Sequence, residues 1–297
     1  MARMKRWAIV GCRGQLGTAL GRQLAGCGDA QVVAAVDLPE LDASDAGAVR
    51  GLFEGLRADV VVNSAAFTHV DRCEREPAEA RRANAFAPGL LAEACGRAHC
   101  QLVHVSTDYV FAGDGKRPYR EDDPVAPASV YGRTKLEGEE RVRAVSSDFL
   151  VVRTSWLFGR GRNFLAAILD QASARERGEG SGPLRVVDDQ RGRPTYAEDL
   201  AAGIRELVAG GATGLFHLAG GGEASWWELA RYCLDVAGHE ALEVERIQSG
   251  DLVVDAPRPS YSVLDCSKAE GQGVSLRAWR EAVSAYLRSP DWAASVS

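Results

Sequence analysis

The chain has 297 residues, 46% of them hydrophobic and 26% charged, which suits a globular protein with one large α/β domain or one domain carrying a smaller lobe. No apolar run approaches the roughly 20 residues that cross a bilayer, and the first one, 7–10, is too short for a signal-peptide core, so the expected location is cytoplasmic with no membrane partner. A net charge of −6 without a basic stripe argues against nucleic acid, and seven cysteines with no Cys-x-x-Cys and no Cys/His cluster argue against a zinc site or a disulfide framework.

In chain order, apolar runs at 7–10, 32–36, 60–63, 102–106 and 149–153 predict strands, and the stretches 15–25, 46–56, 77–97 and 130–145 between them predict helices. Strands that are apolar throughout and separated by helices imply a doubly wound parallel sheet of the Rossmann type, covered on both faces. Beyond Arg153 the pattern loosens: a helix at 163–177, a glycine-rich turn at 178–182, a strand at 184–187, a helix at 197–208 and a strand at 215–218. Two further helices are expected at 226–236 and 276–287. The expected division is a dinucleotide-binding domain of residues 1–156 and 189–218, with a substrate lobe of 157–188 and 219–297. The charged segment 114–123 reads as a solvated loop, placed where a lid can also form.

Gly11-Cys12-Arg13-Gly14-Gln15-Leu16-Gly17 follows the first predicted strand and opens the first helix. Glycines there allow a tight turn and close approach of backbone to a pyrophosphate, whose charge a helix N-terminus favours. Asp37, at the end of the second strand, stands about 20 residues beyond the last glycine, where a carboxylate can bond the adenosine ribose and repel a 2′-phosphate. Arg13 inside the turn can offset that repulsion or simply face solvent, so NADH and NADPH both remain open.

Tyr131-Gly132-Arg133-Thr134-Lys135 sets a phenol and an ammonium one helical turn apart on one face. The ammonium is expected to lower the phenol pKa from its ordinary value near ~10, making Tyr131 a general acid for a developing alkoxide. Lys135 can also bond the nicotinamide ribose. Ser106 and Thr107, at the end of the fourth strand, face the crevice where open α/β sheets bind ligands, and either hydroxyl can polarise a substrate carbonyl.

With these residues in place the chain resembles the dTDP-4-dehydrorhamnose reductases among the extended short-chain dehydrogenases/reductases. The resemblance runs through Gly14-Gln15-Leu16-Gly17, the stretch from Asp59 through Asn63, Ala66, Thr68 and Val70 to Asp71, then Glu74, Pro77 and Asn84. It continues through Ser106 to Phe111, Tyr131, Lys135, Arg153-Thr154-Ser155-Trp156, the run from Asp189 to Thr195, and Arg258-Pro259. It implies that Gly11, Gly14, Gln15, Leu16 and Gly17 serve the pyrophosphate, and that Asp37, Asp42 and Ala43 serve the adenosine. Ala66, Phe67 and Thr68 then line the cofactor, Tyr131 donates the proton and Lys135 holds the ribose. Val70, Thr107, Asp108, Trp156 and Arg258 contact a dTDP-linked 4-keto-6-deoxysugar.

Two departures stand out. Ala19 occupies the place of a glutamate that holds magnesium between subunits in some members, so no metal is expected, and the oligomer is a monomer or a homodimer. Tyr261 replaces an asparagine common in the substrate lobe, which leaves the sugar open to other 4-keto deoxysugars, as in natural-product pathways. A related dehydratase normally carries Asp-Glu after the threonine, whereas Thr107 here precedes Asp108 and Tyr109. The regulatory subunit of methionine adenosyltransferase is also similar, but a purely structural role does not require Thr107, Tyr131 and Lys135 together.

Overall fold

All six strands of the central sheet fall on the predicted apolar runs. The computed structural model describes residues 4–145 and 148–293. It opens with β1 (Lys5–Val10), α1 (Gln15–Ala25), β2 (Ala30–Val36), α2 (Ala46–Gly55) and β3 (Val60–Asn63). Next come α3 (Val70–Arg75), α4 (Pro77–Arg81), a π-helical turn at Arg82–Phe86, α5 (Ala87–Ala98), β4 (Gln101–Thr107), α6 (Val130–Val145) and β5 (Phe149–Thr154). The remainder holds β6 (Leu157–Phe158), α7 (Phe164–Glu176), β7 (Leu184–Val187), β8 (Arg191–Gly192), β9 (Thr195–Tyr196), α8 (Ala197–Ala209) and β10 (Gly214–His217). It closes with β11 (Ala224–Ser225), α9 (Trp226–Val236), β12 (Val244–Ile247), α10 (Ser267–Glu270), α11 (Trp279–Leu287) and α12 (Pro290–Ala293).

The six-stranded sheet runs β2-β1-β3-β4-β5-β10, with every pairing parallel. Its strands are apolar on both faces because both are covered. Leu20 and Leu24 of α1 join Ile204 and Leu207 of α8 on one side, and Leu91 of α5 joins Val61, Leu102 and Val151 on the other. Each such leucine contributes roughly 1.5–3 kcal/mol by leaving water. The chain winds outward from β1 in one direction and from β3 in the other. A crevice opens between these two, outside their carboxyl ends, at the usual ligand position of an open sheet.

A second core, rich in aromatic rings, packs Phe158, Tyr196, Trp279 and Tyr286 with Leu165 and Leu229. Its helices start where side chains cap them: Asn163 accepts from the Ala166 N–H, and Ser225 and Glu228 form a reciprocal capping box. Among the described residues no helix is long and apolar enough to cross a membrane, and the seven cysteines are all free.

Several expectations are corrected. The helix expected over 77–97 is interrupted by the π turn, where Asn84 is drawn towards the cleft. The helix expected from 276 begins at Trp279, because Gly221 and residues 277–279 exchange backbone hydrogen bonds and hold the preceding residues extended. The segment 114–123 is a loop with no buried residue, as expected, but it is tied down at its middle. Tyr119 exchanges backbone hydrogen bonds with Val263 and Asp265, its ring stacks on Phe111 at 4.3 Å, and Glu121 accepts the His217 N–H. α3 and β12 were not anticipated; one spans six residues and the other four, too few to show a period.

Candidate active site

A cleft of about 660 Å³ opens at the switch point, above the ends of β1, β3 and β4. Every predicted site residue except Gly17 and Arg258 lines it. The glycine turn explains why Gly17 is absent. Gly11 has φ 85° and lies against the backbone of Ala65, 2.5 Å from where a side chain would start, while a Cβ on Gly17 would stand 2.0 Å from the Gly11 carbonyl oxygen. These two glycines let backbone pack on backbone. Gly14 differs: its Cβ would meet only the Gly11 oxygen, at 3.4 Å, and it faces the cleft. Gly14 also starts α1 with no side-chain cap and no acid in the first turn. The first N–H groups of that helix are therefore open to an anion in the cleft, which is the donor set a pyrophosphate needs.

Beyond the turn, both Asp37 oxygens are fixed by backbone, one accepting the Arg13 N–H and the other the Leu38 N–H, each at 2.9 Å. Asp42 and Ala43 lie at the same end of the cleft, with Asp42 bonded to Ser44 and Arg82. Ala66, Phe67 and Thr68 form the middle. Asn84, in the π turn, clamps this loop: its Oδ1 accepts the Phe67 N–H at 2.8 Å, and its Nδ2 donates to the Phe67 carbonyl and to Thr134. A π turn at a functional loop is a common use of that irregularity.

At the far end sit Thr107, Asp108, Tyr131 and Lys135. Tyr131 lies in the first turn of α6, whose N-terminus is held by Glu74, accepting the Val130 N–H at 2.7 Å, and by Ser129, accepting the Gly132 N–H at 3.1 Å. Gly132 lets the helix approach, since a Cβ there would be 2.2 Å from the Tyr109 carbonyl oxygen. Thr107 donates to Asp108 Oδ1 at 2.9 Å and accepts the Tyr109 N–H. Burial pushes the Asp108 carboxyl up to about 6, opposed by hydrogen bonds from Ser262 and Thr107.

The expected lowering of the Tyr131 pKa by lysine is not found. Burial pushes the phenol above its ordinary range, with a Thr107 hydrogen bond pulling weakly the other way. The ammonium of Lys135 is turned towards β4 and donates to the Val105 carbonyl at 2.6 Å. Burial brings Lys135 down to about 8, against the opposing charge of Glu139, so it is still mostly charged at neutral pH.

Glu139 is a residue the sequence reading missed. It is 0% exposed and lies one turn beyond Lys135 on the same face of α6. Its carboxylate accepts from Ser106 at 2.6 Å and from Arg153 at 2.8 and 2.7 Å, with Arg143 on the rim. Arg153 is itself 1% exposed, and its remaining nitrogen faces His217, which burial holds neutral. The signal was present as an acid at i+4 from Lys135 and i+8 from Tyr131. The network fastens α6 to the ends of β4 and β5, where Thr107, Tyr131 and Lys135 line the cleft.

On the remaining wall of the cleft Trp156, with φ 48°, stacks on Trp226 at 3.6 Å, and Gln190 accepts the Trp226 indole N–H. Val70 lines the cleft at the start of α3. Arg258 stands back from the cavity wall: its guanidinium bonds Asp71 at 2.8 Å, and Asp71 also accepts the N–H groups of Asp255 and Ala256. That pair fastens α3 to the segment carrying Tyr261. Among the described residues no three His, Cys, Asp or Glu side chains cluster as a metal site, and Ala19 is fully buried in the core.

Known proteins resemble this chain over nearly its whole length. The chain is 40% identical over 288 residues to a spore coat polysaccharide biosynthesis protein of Bacillus subtilis, covering 96% of this chain and 98% of that protein. It is 41% identical over 285 residues to a probable dTDP-4,6-dihydroxy-2-methyloxan-3-one 4-ketoreductase of Streptomyces antibioticus, covering 94% and 93% of the two chains. The crystal structure of a dTDP-4-dehydrorhamnose reductase from Bacillus anthracis in complex with NADP superposes with a TM-score of 0.89 at 30% identity, covering 97% of this chain and 99% of that one. The family model described as the RmlD substrate binding domain matches residues 5–291, and the chain belongs to that family.

Proposed function

We propose that this chain is a reductase using NADH or NADPH to convert the C4 ketone of a dTDP-linked 4-keto-6-deoxyhexose to an alcohol. dTDP-4-dehydro-L-rhamnose, yielding dTDP-L-rhamnose, is the first substrate to test. The observation that carries the reading is the cleft itself, with an uncapped helix turn and Asp37 at one end and Thr107, Asp108, Tyr131 and Lys135 at the other. Residues 1–156 and 189–218 hold the dinucleotide in this reading, and 157–188 with 219–297 hold the sugar nucleotide.

A reduced nicotinamide supplies the hydride that reaches the carbonyl carbon. Tyr131 gives its hydroxyl proton to the carbonyl oxygen, where negative charge develops as the C–H bond forms. A neutral, proton-bearing phenol is the state burial enforces, so the acid is loaded at neutral pH. Thr107 hydrogen-bonds the same oxygen and holds it beside Tyr131. Lys135, anchored on the Val105 carbonyl, would supply a fixed positive charge at the nicotinamide ribose. Asp108 accepts from a sugar hydroxyl, Val70 and Trp156 border the ring, and Arg258 holds the lobe edge through Asp71.

A second reading, reduction of a 4-keto deoxysugar of another pathway, is favoured by Tyr261 and by the Streptomyces relative. Both are tested by following NADH and NADPH absorbance with a panel of dTDP-4-keto-6-deoxysugars. Turnover with dTDP-4-dehydro-L-rhamnose above the rest supports the first reading; turnover only with another keto-sugar supports the second. Absence of turnover with every member contradicts both.

A further inference from the structure

The adenosine end of the cleft carries two arginines that are already spoken for. Arg13, in the glycine turn, bonds Glu40 and the Leu38 carbonyl through its guanidinium. Arg82 reaches the same end from the π turn, where Asp42 Oδ2 and the Ser44 hydroxyl accept from it at 2.9 Å, with Glu79 at 3.3 Å. Asp37 itself is met only by backbone N–H groups. Four carboxylates, Asp37, Glu40, Asp42 and Glu79, thus stand at an end with two guanidiniums, and each guanidinium is already paired with a carboxylate.

A ribose 2′-hydroxyl suits such a surface, since a carboxylate fixed in place accepts its hydrogen bond. A 2′-phosphate does not, because it adds negative charge to an end whose cations are each matched by a carboxylate. We infer that this chain selects NADH over NADPH, and that Glu40 sets the preference by withholding Arg13 from a 2′-phosphate. Glu40 is outside the cleft wall and half exposed, so it acts only through Arg13. The inference rests on the dinucleotide reading of the cleft.

The test is calorimetric titration of the full chain with NAD⁺ and NADP⁺, which needs no sugar substrate. Wild type is expected to bind NAD⁺ about tenfold more tightly, the effect of one unfavourable charge contact. Glu40→Gln keeps the side-chain shape and releases Arg13. It is expected to tighten NADP⁺ roughly fivefold and to leave NAD⁺ within about twofold, in the range of a partly exposed ion pair. In Glu40→Gln with Arg13→Met the gain disappears. Equal or tighter NADP⁺ binding by wild type overturns the inference and leaves the dinucleotide reading intact. An unchanged ratio in Glu40→Gln overturns the role of Glu40. Binding of neither dinucleotide overturns the inference together with the reading it rests on.

Discussion

The two ends of the cleft are built by different means. The glycine turn after β1 is a backbone device: Gly11 and Gly17 permit contacts that no Cβ tolerates, and α1 offers its N–H groups with no side-chain help. The corner between β4 and α6 is a side-chain device, in which Glu139 and Arg153, both almost fully buried, hold the strand ends and helix that present Thr107, Tyr131 and Lys135. The first depends on the absence of atoms, the second on buried charges that balance one another. A fault in the turn should therefore be felt as lost space, and a fault in the corner as uncompensated charge.

The largest effect is expected at the corner. Glu139→Ala leaves Arg153 buried without its carboxylate and Ser106 without its acceptor, a change that costs about 3–5 kcal/mol. Chemical denaturation should show the midpoint falling with the slope unchanged. A stability equal to wild type would mean that the corner does not depend on this ion pair. Next comes Gly17→Ala, whose Cβ must displace the Gly11 carbonyl and should cost roughly 1–3 kcal/mol. Gly14→Ala makes the comparison sharper: its methyl enters the cleft and meets nothing closer than 3.4 Å, so the melting temperature holds while dinucleotide affinity falls. If both alanine variants melt alike, the turn is not divided as described.

One further effect, developing across a pH window, has a sign that runs against the others. The Asp108 carboxyl is raised from 3.8 to about 6 by burial, so its contribution favours the folded state fully below pH 3.8 and is lost as pH rises through about 6. Asn carries no charge to bury. Asp108→Asn is therefore expected to match wild type in acid and to become more stable across pH 4 to 6. The advantage should level off at about 1–3 kcal/mol above that range. A melting curve series against pH checks it; a variant less stable than wild type at pH 7 would contradict the assignment. Lower turnover in the same variant would show that the buried carboxyl is kept for the reaction.

The turn was legible in the sequence because its requirement is local: three glycines and a following apolar helix are adjacent in the chain. The six strands were legible for the same reason, as runs such as 60–63 announce burial on both faces. Tyr131 and Lys135 could be placed by their spacing, yet the phenol shifts in the opposite direction to the one expected. Its surroundings come from Tyr109, Thr107 and the covering lobe, while the lysine answers to the Val105 carbonyl. Glu139 meets Arg153 only through the parallel register of β4 and β5, which spacing along α6 does not reveal. The strap at 114–123 shows the same limit, because Val263 and Asp265, which hold Tyr119, lie far along the chain.

The central claim is that Tyr131 is the acid that loads the reduced oxygen. The direct measurement is turnover of a dTDP-4-keto-6-deoxysugar by wild type and by Tyr131→Phe, with dinucleotide affinity measured in parallel. A loss of about 10²–10⁴-fold in turnover with affinity unchanged is the predicted result. Turnover within a few-fold of wild type would contradict it and place the proton source elsewhere in the corner.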